Sequence, residues 1–443
     1  MKNFSPFGLS VPEIVLPRAD IPLSQWAVIA CDQYTQDREY WHQVHDVVDG
    51  RPSTLSLILP EVYLADDDKD QRIATIRQTM QEYLAGNVFR PEFSGFVYLE
   101  RTTAYGRVRK GLVAAVDLES YEWKPFSKAL IRATEATIPD RIPPRMEIRR
   151  GAALELPHIM LLVNDKAGRL VEACGSAVKS GQNRQAPLYQ GDLMLGAGSI
   201  VGYPVEGRVL ADCQVALEQL AAENTNEDGD VFLFAVGDGN HSLATAKAVW
   251  DEYKADQLAV GKTPANLADC PLRYALVEIV NIYDSGLTFE PIHRVLFGCD
   301  SAALMDFCQD RLAGQLVDVD SSEQLASMVA DSTNSFGFVF VDGEGKQQYR
   351  CLETSIRELA VSRLQPVLDD FLAEKRAGEI DYIHGSDEVL RLGSQPGTVA
   401  ILLPPVAKDS FFSTIGSGGP LPRKSFSMGE ASEKRFYLEA RKI

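Results

Sequence analysis

The segment Val231–Lys247, with the sequence VFLFAVGDGNHSLATAK, constrains the fold more than any other part of the chain. An apolar run stops at two glycines, and a sequence that favours a helix begins directly after them. Gly237 and Gly239 can adopt backbone angles that other residues avoid, and they let a ligand approach the main chain. The pattern predicts a buried strand that leads through a tight loop into a helix.

The start of this predicted helix is suited to bind an anion. Its first turn presents free N–H groups and partial positive charge, and Asn240 or Ser242 is expected to cap it. Asp238 would place a negative charge beside the bound anion. Its presence is explained if it holds Mg²⁺ or accepts a proton from a substrate hydroxyl. From the residues alone, a plain strand-to-helix turn, in which Asp238 and Asn240 satisfy the backbone, is an equally good interpretation.

The segment matches neither of two common phosphate-binding loops. A Walker A loop needs Gly-Lys-Ser/Thr at a fixed spacing, and that sequence is missing here. The dinucleotide-binding fingerprint needs a third glycine at the position of Ser242. A phosphate site in this chain is therefore of another type.

The charge of the chain restricts its partners. Its 44 Lys and Arg residues stand against 62 Asp and Glu residues, so the net charge is −18. Such a protein is a poor partner for nucleic acid, because phosphate backbones need a basic face. It also repels a free nucleotide, so a phosphate site needs local positive charge or a bound cation. Because no apolar stretch is long enough for a bilayer and the N-terminus does not resemble a signal peptide, we expect a cytoplasmic protein without membrane partners.

The cysteines and histidines give little sign of a metal site. The seven cysteines form no CxxC pair, and the six histidines form no HExxH motif, so we expect reduced thiols and no structural zinc. Cys31 is interpreted as a small buried residue. Its neighbour Asp32 follows an apolar run, and strand ends often carry site residues in α/β folds, although a plain turn or cap is as good an interpretation.

Strands and helices alternate along the chain, which predicts an α/β protein with mixed (α+β) sheets. The chain is long for a single core, and we expect an N-terminal lobe over residues 1–205 and a C-terminal lobe over residues 206–443. Prolines at 139, 143 and 144 argue against a continuous helix over 131–151, and Pro366 is expected to break or kink a helix. The glycine-rich segment 191–207 predicts a loop or hairpin. Strands are predicted at 26–30, 96–99, 112–116, 159–163, 231–236, 274–280, 336–341, 347–352 and 399–403, and helices at 69–84, 209–222, 241–253 and 355–375.

Four short motifs resemble those of the family called domain of unknown function 1015, and the match runs along most of the chain. In chain order they are Thr134-Glu135-Ala136-Thr137, Gly237-Asp238-Gly239-Asn240-His241-Ser242, Pro291-Ile292-His293-Arg294 and Pro422-Arg423-Lys424-Ser425. The corresponding patterns of the family are His-Glu-x-Thr, Ala-Asp-Gly-His-His-Arg, Pro-x-His-Arg and Pro-x-Lys-Ser. Four motifs in the right order indicate the family more strongly than any one of them.

The resemblance implies a two-lobed protein whose strand–loop–helix core is ParB/sulfiredoxin-like, and a relation to archaeal ADP-dependent free-serine kinases. It implies phosphoryl transfer from ADP or ATP, with Mg²⁺, to a small hydroxyl compound. The implied phosphate-binding residues are Gly237, Gly239, Asn240, His241, Ser242, His293, Arg294 and Lys424. The implied catalytic residues are Asp32, Glu135 and Asp238, and Asp238 is also the implied metal ligand.

The chain departs from the family pattern at two positions. Ser242 replaces the arginine of the central motif, which removes a bidentate phosphate contact, and Asn240 replaces its first histidine. A non-catalytic nucleotide- or phosphate-binding switch protein is therefore an alternative, and a vestigial site is another. Glu135 can instead be one half of a surface ion pair, and His293-Arg294 can be surface residues. The sequence predicts no oligomeric state.

Overall fold

The computed structural model describes residues 4–443. Within them lie twelve α-helices: α1 (Leu23–Trp26), α2 (Arg38–Val48), α3 (Lys69–Ala85), α4 (Ile142–Arg149), α5 (Val171–Lys179), α6 (Gly207–Glu223), α7 (Asn240–Ala259), α8 (Ser301–Leu312), α9 (Ser322–Ala330), α10 (Ala360–Ala373), α11 (Ser386–Leu392) and α12 (Lys408–Gly418).

The same residues contain twenty-four strands, many of them short. They are β1 (Leu9–Ser10), β2 (Glu13–Ile14), β3 (Val28–Ile29), β4 (Phe93–Ser94), β5 (Phe96–Thr102), β6 (Val108–Asp117), β7 (Tyr121–Glu122), β8 (Ile131–Ala133), β9 (Leu154–Glu155), β10 (Met160–Val163), β11 (Tyr189–Asp192), β12 (Ser199–Val205), β13 (Phe234–Asp238), β14 (Tyr274–Asn281), β15 (Phe289–Pro291), β16 (His293–Phe297), β17 (Gln315–Val319), β18 (Ser335–Val341), β19 (Gln347–Glu353), β20 (Glu379–Ile383), β21 (Thr398–Leu402), β22 (Phe426–Met428), β23 (Phe436–Tyr437) and β24 (Arg441–Lys442).

The chain divides into two compact units. Unit 1 comprises the residues up to Leu287 together with Glu430–Ile443, and unit 2 comprises Thr288–Gly429. The junction at 205/206, where we expected a lobe boundary, lies inside unit 1 between β12 and α6. Strands from both sides of that junction belong to one sheet. The backbone hydrogen bonds of this sheet therefore join residues that precede the junction to residues that follow it.

Unit 1 is built on a mixed sheet of ten strands among the described residues. Its order is β11-β12-β5-β6-β14-β10-β13-β8-β7, and β1 also pairs with β6. The β10/β14, β13/β8 and β8/β7 pairs are parallel, whereas the other pairs are antiparallel. This mixture confirms the predicted α/β class with mixed sheets.

Both faces of the unit 1 sheet are covered. Successive side chains of a strand point to opposite faces, and in β5 the pair Phe96 and Tyr98 joins one apolar core while Val97 and Leu99 join another. A strand that is buried on both faces needs apolar residues at consecutive positions. This requirement explains why the sequence gives continuous apolar runs here and no alternation.

Unit 2 has its own sheet and core. Its six strands follow the order β17-β19-β18-β21-β16-β20, and all of their pairings are antiparallel. The β18/β19 hairpin joins two of the predicted strands, 336–341 and 347–352, through the turn Asp342-Gly343-Glu344-Gly345. Val295, Val339 and Ala400 are buried in the core of this sheet, and β15 pairs with β22 in a separate two-stranded ribbon.

Two local predictions were wrong in part, and one short helix was not predicted. The strand expected at 26–30 is only Val28–Ile29, because Pro22 begins a short helix that includes Trp26. The proline-rich segment contains α4, whose first turn holds two of its prolines, where their missing N–H groups cost no helical hydrogen bond. Helix α10 continues through Pro366 and is not broken there. The hairpin expected in the glycine-rich segment is confirmed as β11 and β12.

A buried ion network joins the C-terminal segment to the sheet. Glu278 of β14 is fully buried and accepts hydrogen bonds from Arg435 at 2.6 Å and from Arg109 at 3.2 Å. Arg435 also donates to Glu439 at 2.6 Å and to the carbonyl of Pro157 at 3.0 Å. Burial raises the pKa of Glu278, but the two guanidinium groups lower it more, so the net direction is down. The carboxylate is thus held ionised in the interior.

No helix between residues 4 and 443 is long and apolar enough to span a bilayer.

We predict that Glu278→Gln strongly destabilises unit 1. The change leaves two buried arginines short of a negative charge, and breaking a buried ion pair costs about 3–5 kcal/mol. Urea denaturation of the full chain measures this loss. Glu223→Gln is the matched control, because Glu223 pairs with Arg169 at the surface and should leave the midpoint unchanged. Equal midpoints for the two variants would show that the network contributes no more than a surface pair.

Candidate functional site

Three segments meet at one edge of the unit 1 sheet. The parallel strands β8 and β13 both end there, with Ala133 opposite Val236. The antiparallel strand β10 begins there, with Met160 opposite Asp238. The loop after β8, the start of α7 and the residues just before β10 therefore lie side by side.

The start of α7 has an uncapped first turn. Strand β13 extends through Gly237 to Asp238, so the loop is reduced to Gly239, whose φ is +80°. No side chain caps the helix, which corrects the expectation that Asn240 or Ser242 would do so. The helix begins one residue earlier than predicted, so Asn240 is inside its first turn. Its N–H groups are left for a ligand or solvent.

His241 contacts the loop that follows β8. Its Nε2 accepts a hydrogen bond from the backbone N–H of Ile138 at 3.3 Å. Burial, together with the charges of Arg145 and Arg141, lowers the pKa of His241 to about 4, against an opposing effect of Asp32. The ring is therefore neutral at pH 7 and carries its hydrogen on Nδ1. It can donate a hydrogen bond to an anion, but it adds no positive charge.

Positive charge near this helix start comes from other segments. Arg141 and Arg145 are close enough to shift the pKa of His241, and Arg145 donates to the carbonyl of Arg141 at 2.7 Å. Nε of Arg145 also donates to the carboxylate of Glu61 at 2.9 Å. The two arginines supply cationic groups that Ser242, half-buried in α7, does not.

Lys434 brings a third cation to the site from the C-terminal segment. Its Nζ lies 3.3 Å from Oδ2 of Asp238, whose Oδ1 accepts the N–H of Gly239 at 3.0 Å. Asp238 is thus held between the helix start and a lysine that the sequence analysis missed. Only the fold reveals Lys434, because almost 200 residues separate it from Asp238 in the sequence.

Asp32 lies beside the same lysine. Burial raises the pKa of Asp32, while contacts with His158, Gln33 and Lys434 lower it more, so the net direction is down. Its Oδ1 accepts from Nε2 of Gln33 at 3.0 Å, and its Oδ2 lies 3.6 Å from Nε2 of His158. The short pairing of β3 with β23 explains this arrangement, since Ile29 lies opposite Phe436.

Two polar atoms near the helix start are buried without a hydrogen-bond partner among the described residues. They are Oδ1 of Asn240 and Oγ1 of Thr137. The Asn240 amide makes only a long contact, 3.5 Å, to Oγ1 of Thr134, which itself donates to the carbonyl of Val236 at 2.6 Å. Buried polar groups are normally satisfied. Their presence fits a ligand that supplies the missing partners.

Glu135 lies in the loop after β8, between Thr134 and the buried Thr137, and is half-buried. The motif that contains it is therefore in contact with the central motif through Thr134 and Asn240. Asp32 and Asp238 meet at Lys434. Whether Glu135 acts with them stays a prediction.

The two remaining motifs belong to unit 2 and meet within it. Pro291 of β15 lies opposite Phe426 of β22, which brings their neighbours together. His293 is buried, its Nδ1 accepts the N–H of Leu403 at 3.1 Å, and burial lowers its pKa to about 4. The interpretation of these residues as a surface pair is wrong for His293 and for Arg294, whose side chain is fully buried.

Arg294 and Lys424 of unit 2 both contact neighbouring groups of the protein. Arg294 donates to Gln365 at 2.7 Å and to the carbonyl of Ile292 at 2.6 Å. Lys424 is exposed, and its Nζ lies 5.1 Å from the centre of the Tyr382 ring, which Arg294 also contacts at 4.7 Å. That His293, Arg294 and Lys424 bind phosphate stays a prediction.

The expected metal site has no complete set of protein ligands. Between residues 4 and 443, no group of three or more His, Cys, Asp or Glu side chains is placed to hold a metal ion. Asp238, the implied ligand, is paired with Lys434. Mg²⁺ therefore has no protein cage among these residues, and we assign no chemical step to it.

A comparison with family models decides where the chain belongs. The model described as "Protein of unknown function (DUF1015)" matches residues 13–370. The chain belongs to this family. Three of the four motifs of this DUF1015 chain lie in the matched part, and the fourth, at 422–425, lies beyond it. No curated protein matches the chain at a significant level.

Several solved structures resemble this DUF1015 protein at low identity. A free serine kinase mutant in complex with AMP is 9% identical with a TM-score of 0.36, covering 74% of this chain and 90% of that chain. A conserved hypothetical protein from Pyrococcus furiosus is 10% identical with a TM-score of 0.33, covering 75% and 94%. SbnI with a C-terminal truncation, from Staphylococcus aureus, is 10% identical with a TM-score of 0.34, covering 72% and 83%. These TM-scores are too low to support an inference about function.

We predict that Gly239→Ala destabilises the protein more than Gly50→Ala does. Both glycines have positive φ, +80° and +68°, which costs an alanine about 1–2 kcal/mol. A Cβ on Gly239 would also lie 3.0 Å from two atoms of Ile159, whereas a Cβ on Gly50 meets nothing within 4 Å. Urea denaturation measures the difference. An equal loss in both variants would mean that Ile159 yields without cost.

We predict that the contribution of His241 to stability depends on pH. Its folded pKa, about 4, is below the ordinary value of 6.5, so the unfolded chain binds more protons between these values. The unfolding free energy of the wild type should therefore fall as the pH drops from 6.5 to 4. His241→Gln keeps an acceptor for the Ile138 N–H and removes the titrating group. The difference between wild type and variant should shrink over that range, and a constant difference would contradict the lowered pKa.

Proposed function

We propose that unit 1 binds a nucleotide by its phosphates at the start of α7 and transfers a phosphoryl group to a small hydroxyl compound. The observation that carries this proposal is the uncapped first turn of α7 with three cations around it, Arg141, Arg145 and Lys434. A helix start with cationic neighbours is a favourable site for phosphate. These cations also meet the requirement that a chain of net charge −18 supply local positive charge.

In the binding step, His241 contributes a hydrogen bond to the phosphates and no positive charge. Neutral His241 donates from Nδ1, while the free N–H groups of Asn240 and Ser242 donate from the backbone. The unpartnered Oδ1 of Asn240 and Oγ1 of Thr137 are available to other parts of the ligand. ADP or ATP is the proposed phosphoryl donor. For unit 2 by itself, we propose separately that His293, Arg294 and Lys424 bind phosphate.

In the transfer step, the oxygen of the acceptor hydroxyl forms a bond to the terminal phosphorus. The bond from that phosphorus to the bridging oxygen breaks, and its electron pair leaves with the shorter nucleotide. The hydroxyl proton passes to a carboxylate. Asp32 is our first choice for this base, because it is held ionised and oriented by Gln33 and His158.

Asp238 and Glu135 are assigned supporting roles. Asp238 orients Lys434 by their contact of 3.3 Å, so that the ammonium group faces the transferred phosphate. Glu135 lies in the loop that His241 holds through Ile138 and is proposed as a second acidic group of the site. Mg²⁺ is proposed only as the counter-ion that accompanies the nucleotide phosphates.

A second candidate is a non-catalytic nucleotide-binding protein that changes conformation or partner on binding. The replacement of the motif arginine by Ser242 favours it, because an arginine would stabilise charge that develops during transfer. A ParB/sulfiredoxin-like core and a cytoplasmic location are consistent with either candidate, and the free thiols agree with a reducing compartment.

Nucleotide binding is tested by thermal shift with ADP and ATP, each with and without Mg²⁺. A ligand at about 100 times its Kd stabilises the native state by about 2.7 kcal/mol, and the melting temperature rises accordingly. We expect His241→Ala to abolish this shift, and Lys434→Met to reduce it by removing a cation. Lys442→Met is the matched control, because Lys442 is an exposed lysine of the same C-terminal segment. Unchanged shifts in both site variants would place the ligand elsewhere.

Turnover is tested by release of the shorter nucleotide in the presence of a panel of small hydroxyl compounds. Asp32→Asn should keep the thermal shift and lower turnover by about 10²–10⁴-fold, the range for loss of a general base. Asp238→Asn should also stop turnover and spare binding. Asp251→Asn, an exposed carboxylate of the same helix α7, is the control. Nucleotide binding without turnover on any acceptor would favour the second candidate, and retained turnover in Asp238→Asn would exclude it as an essential residue.

A further inference from the structure

Four side chains form a continuous chain of contacts behind Asp32. Nε2 of His158 lies 3.6 Å from Oδ2 of Asp32, and Nδ1 of His158 lies 2.7 Å from the hydroxyl of Tyr437. That hydroxyl oxygen is 3.0 Å from Sγ of Cys31 and accepts the backbone N–H of Cys31 at 3.3 Å. No sequence motif indicates this arrangement, since its members come from three distant segments.

Counting hydrogens fixes the directions of these contacts. A hydroxyl has one hydrogen, and Tyr437 has two candidate acceptors, Nδ1 of His158 and Sγ of Cys31. The Cys31 thiol stays protonated, because burial raises its pKa, and it can itself donate to the hydroxyl oxygen. The tyrosine hydrogen therefore goes to the closer and stronger acceptor, Nδ1. With Nδ1 as the acceptor, the imidazole carries its hydrogen on Nε2, facing the carboxylate of Asp32.

The two middle members of the chain of contacts are closed to solvent, whereas its two ends, Asp32 and Cys31, are half-buried. Tyr437 is 2% exposed and His158 is 7% exposed, whereas the side chain of Asp32 is 29% exposed. A substrate can therefore reach the carboxylate but not the imidazole or the phenol. The buried members cannot act on a substrate directly, so their effect must pass through Asp32.

The segments that carry the buried pair are held in place. Arg435, two residues before Tyr437, donates to the carbonyl of Pro157, which directly precedes His158. The same arginine is anchored to Glu278 and Glu439. The distance between the imidazole and the phenol is thus set by the buried ion network and not by a flexible loop.

We propose that His158 and Tyr437 are positioning residues for Asp32: the Tyr437 hydroxyl fixes the Nε2–H tautomer of His158, which orients the carboxylate to receive the acceptor proton. The role in catalysis rests on the proposed phosphoryl transfer. During that step the proton moves from the acceptor hydroxyl to Asp32, while His158 keeps its Nε2 hydrogen and Tyr437 keeps its own. No proton crosses the chain, and no further reactant is required.

The first test is kinetic. Tyr437→Phe and His158→Leu should lower kcat by up to about 100-fold, the effect of a misplaced catalytic group, because the carboxylate loses the oriented imidazole that lies 3.6 Å from it, with the KM for nucleotide unchanged. His158→Gln, whose Nε2 can still donate to Asp32, should recover part of the loss. Tyr121→Phe is the matched control, because Tyr121 is a buried tyrosine of unit 1 whose hydroxyl has no hydrogen-bond partner in residues 4–443. An equal loss in Tyr437→Phe and Tyr121→Phe would overturn the proposal.

The pH profile separates positioning from a general structural effect. Loss of the His158 contact should raise the pKa of Asp32, so the acid limb of kcat/KM should move to higher pH in His158→Leu. The other charged or titratable groups near Asp32 are unchanged in that variant: Lys434, His241, Glu61 and Arg145. A lowered rate with an unmoved acid limb would contradict the assigned role.

The second test does not need turnover, so it distinguishes failure of this proposal from failure of the proposed function. In ¹⁵N-labelled full-length protein at pH 8, the ring signals that disappear in His158→Gln belong to His158. We expect Nε2 to be protonated and Nδ1 to be an unprotonated acceptor, and we expect Tyr437→Phe to shift the Nδ1 signal. A Nδ1-protonated tautomer, or an unshifted signal in Tyr437→Phe, would overturn the proposal even if the protein proved to be an active kinase.

Discussion

Glu278 is a fully buried carboxylate with an arginine on each side, and the arrangement of unit 1 depends on it. Arg109 comes from the neighbouring strand β6, and Arg435 comes from the C-terminal segment. An ionised group in the interior must be paired and hydrogen-bonded, because its loss of hydration is costly. The C-terminal segment therefore cannot leave the sheet without exposing this charge imbalance.

This anchoring has a direct effect on the site. Arg435 lies between Lys434, which contacts Asp238, and Tyr437, which contacts His158. One buried contact thus sets the position of a cation on the surface and of a phenol in the interior. The pairing of β3 with β23 then places Asp32 beside both. The site is assembled from five separated segments: the end of β3, the loop after β8, the residues before β10, the start of α7 and the C-terminal segment.

The sequence predicted those parts of the protein that depend on neighbouring residues. The strand–glycine–helix segment, the β18/β19 hairpin and helix α3 follow from local periodicity and turn chemistry. The proline-rich helix α4 was missed, because prolines stop a helix in its interior but are compatible with its first turn. Trp26 was misplaced, since one apolar turn of helix and one apolar strand look alike over five residues.

The site was predicted only in part, for a related reason. The motifs indicated the loop at Gly239, the segment around Glu135 and the carboxylate of Asp32. Lys434, His158 and Tyr437 were missed, because their significance comes from contacts between residues that are up to about 400 positions apart in the chain. Even the partner of His241, the N–H of Ile138, is a backbone group that no side-chain motif can show.

Unit 1 is discontinuous, since Glu430–Ile443 follow the whole of unit 2 in the chain. During synthesis these residues leave the ribosome after unit 2, so until they arrive Glu278 has Arg109 but lacks Arg435, the second of its two arginine partners. A nascent chain can complete unit 2 from consecutive residues, whereas unit 1 closes only when Arg435 reaches its partners. For the same reason, Lys434 can contact Asp238 only in a chain that has been translated through both units.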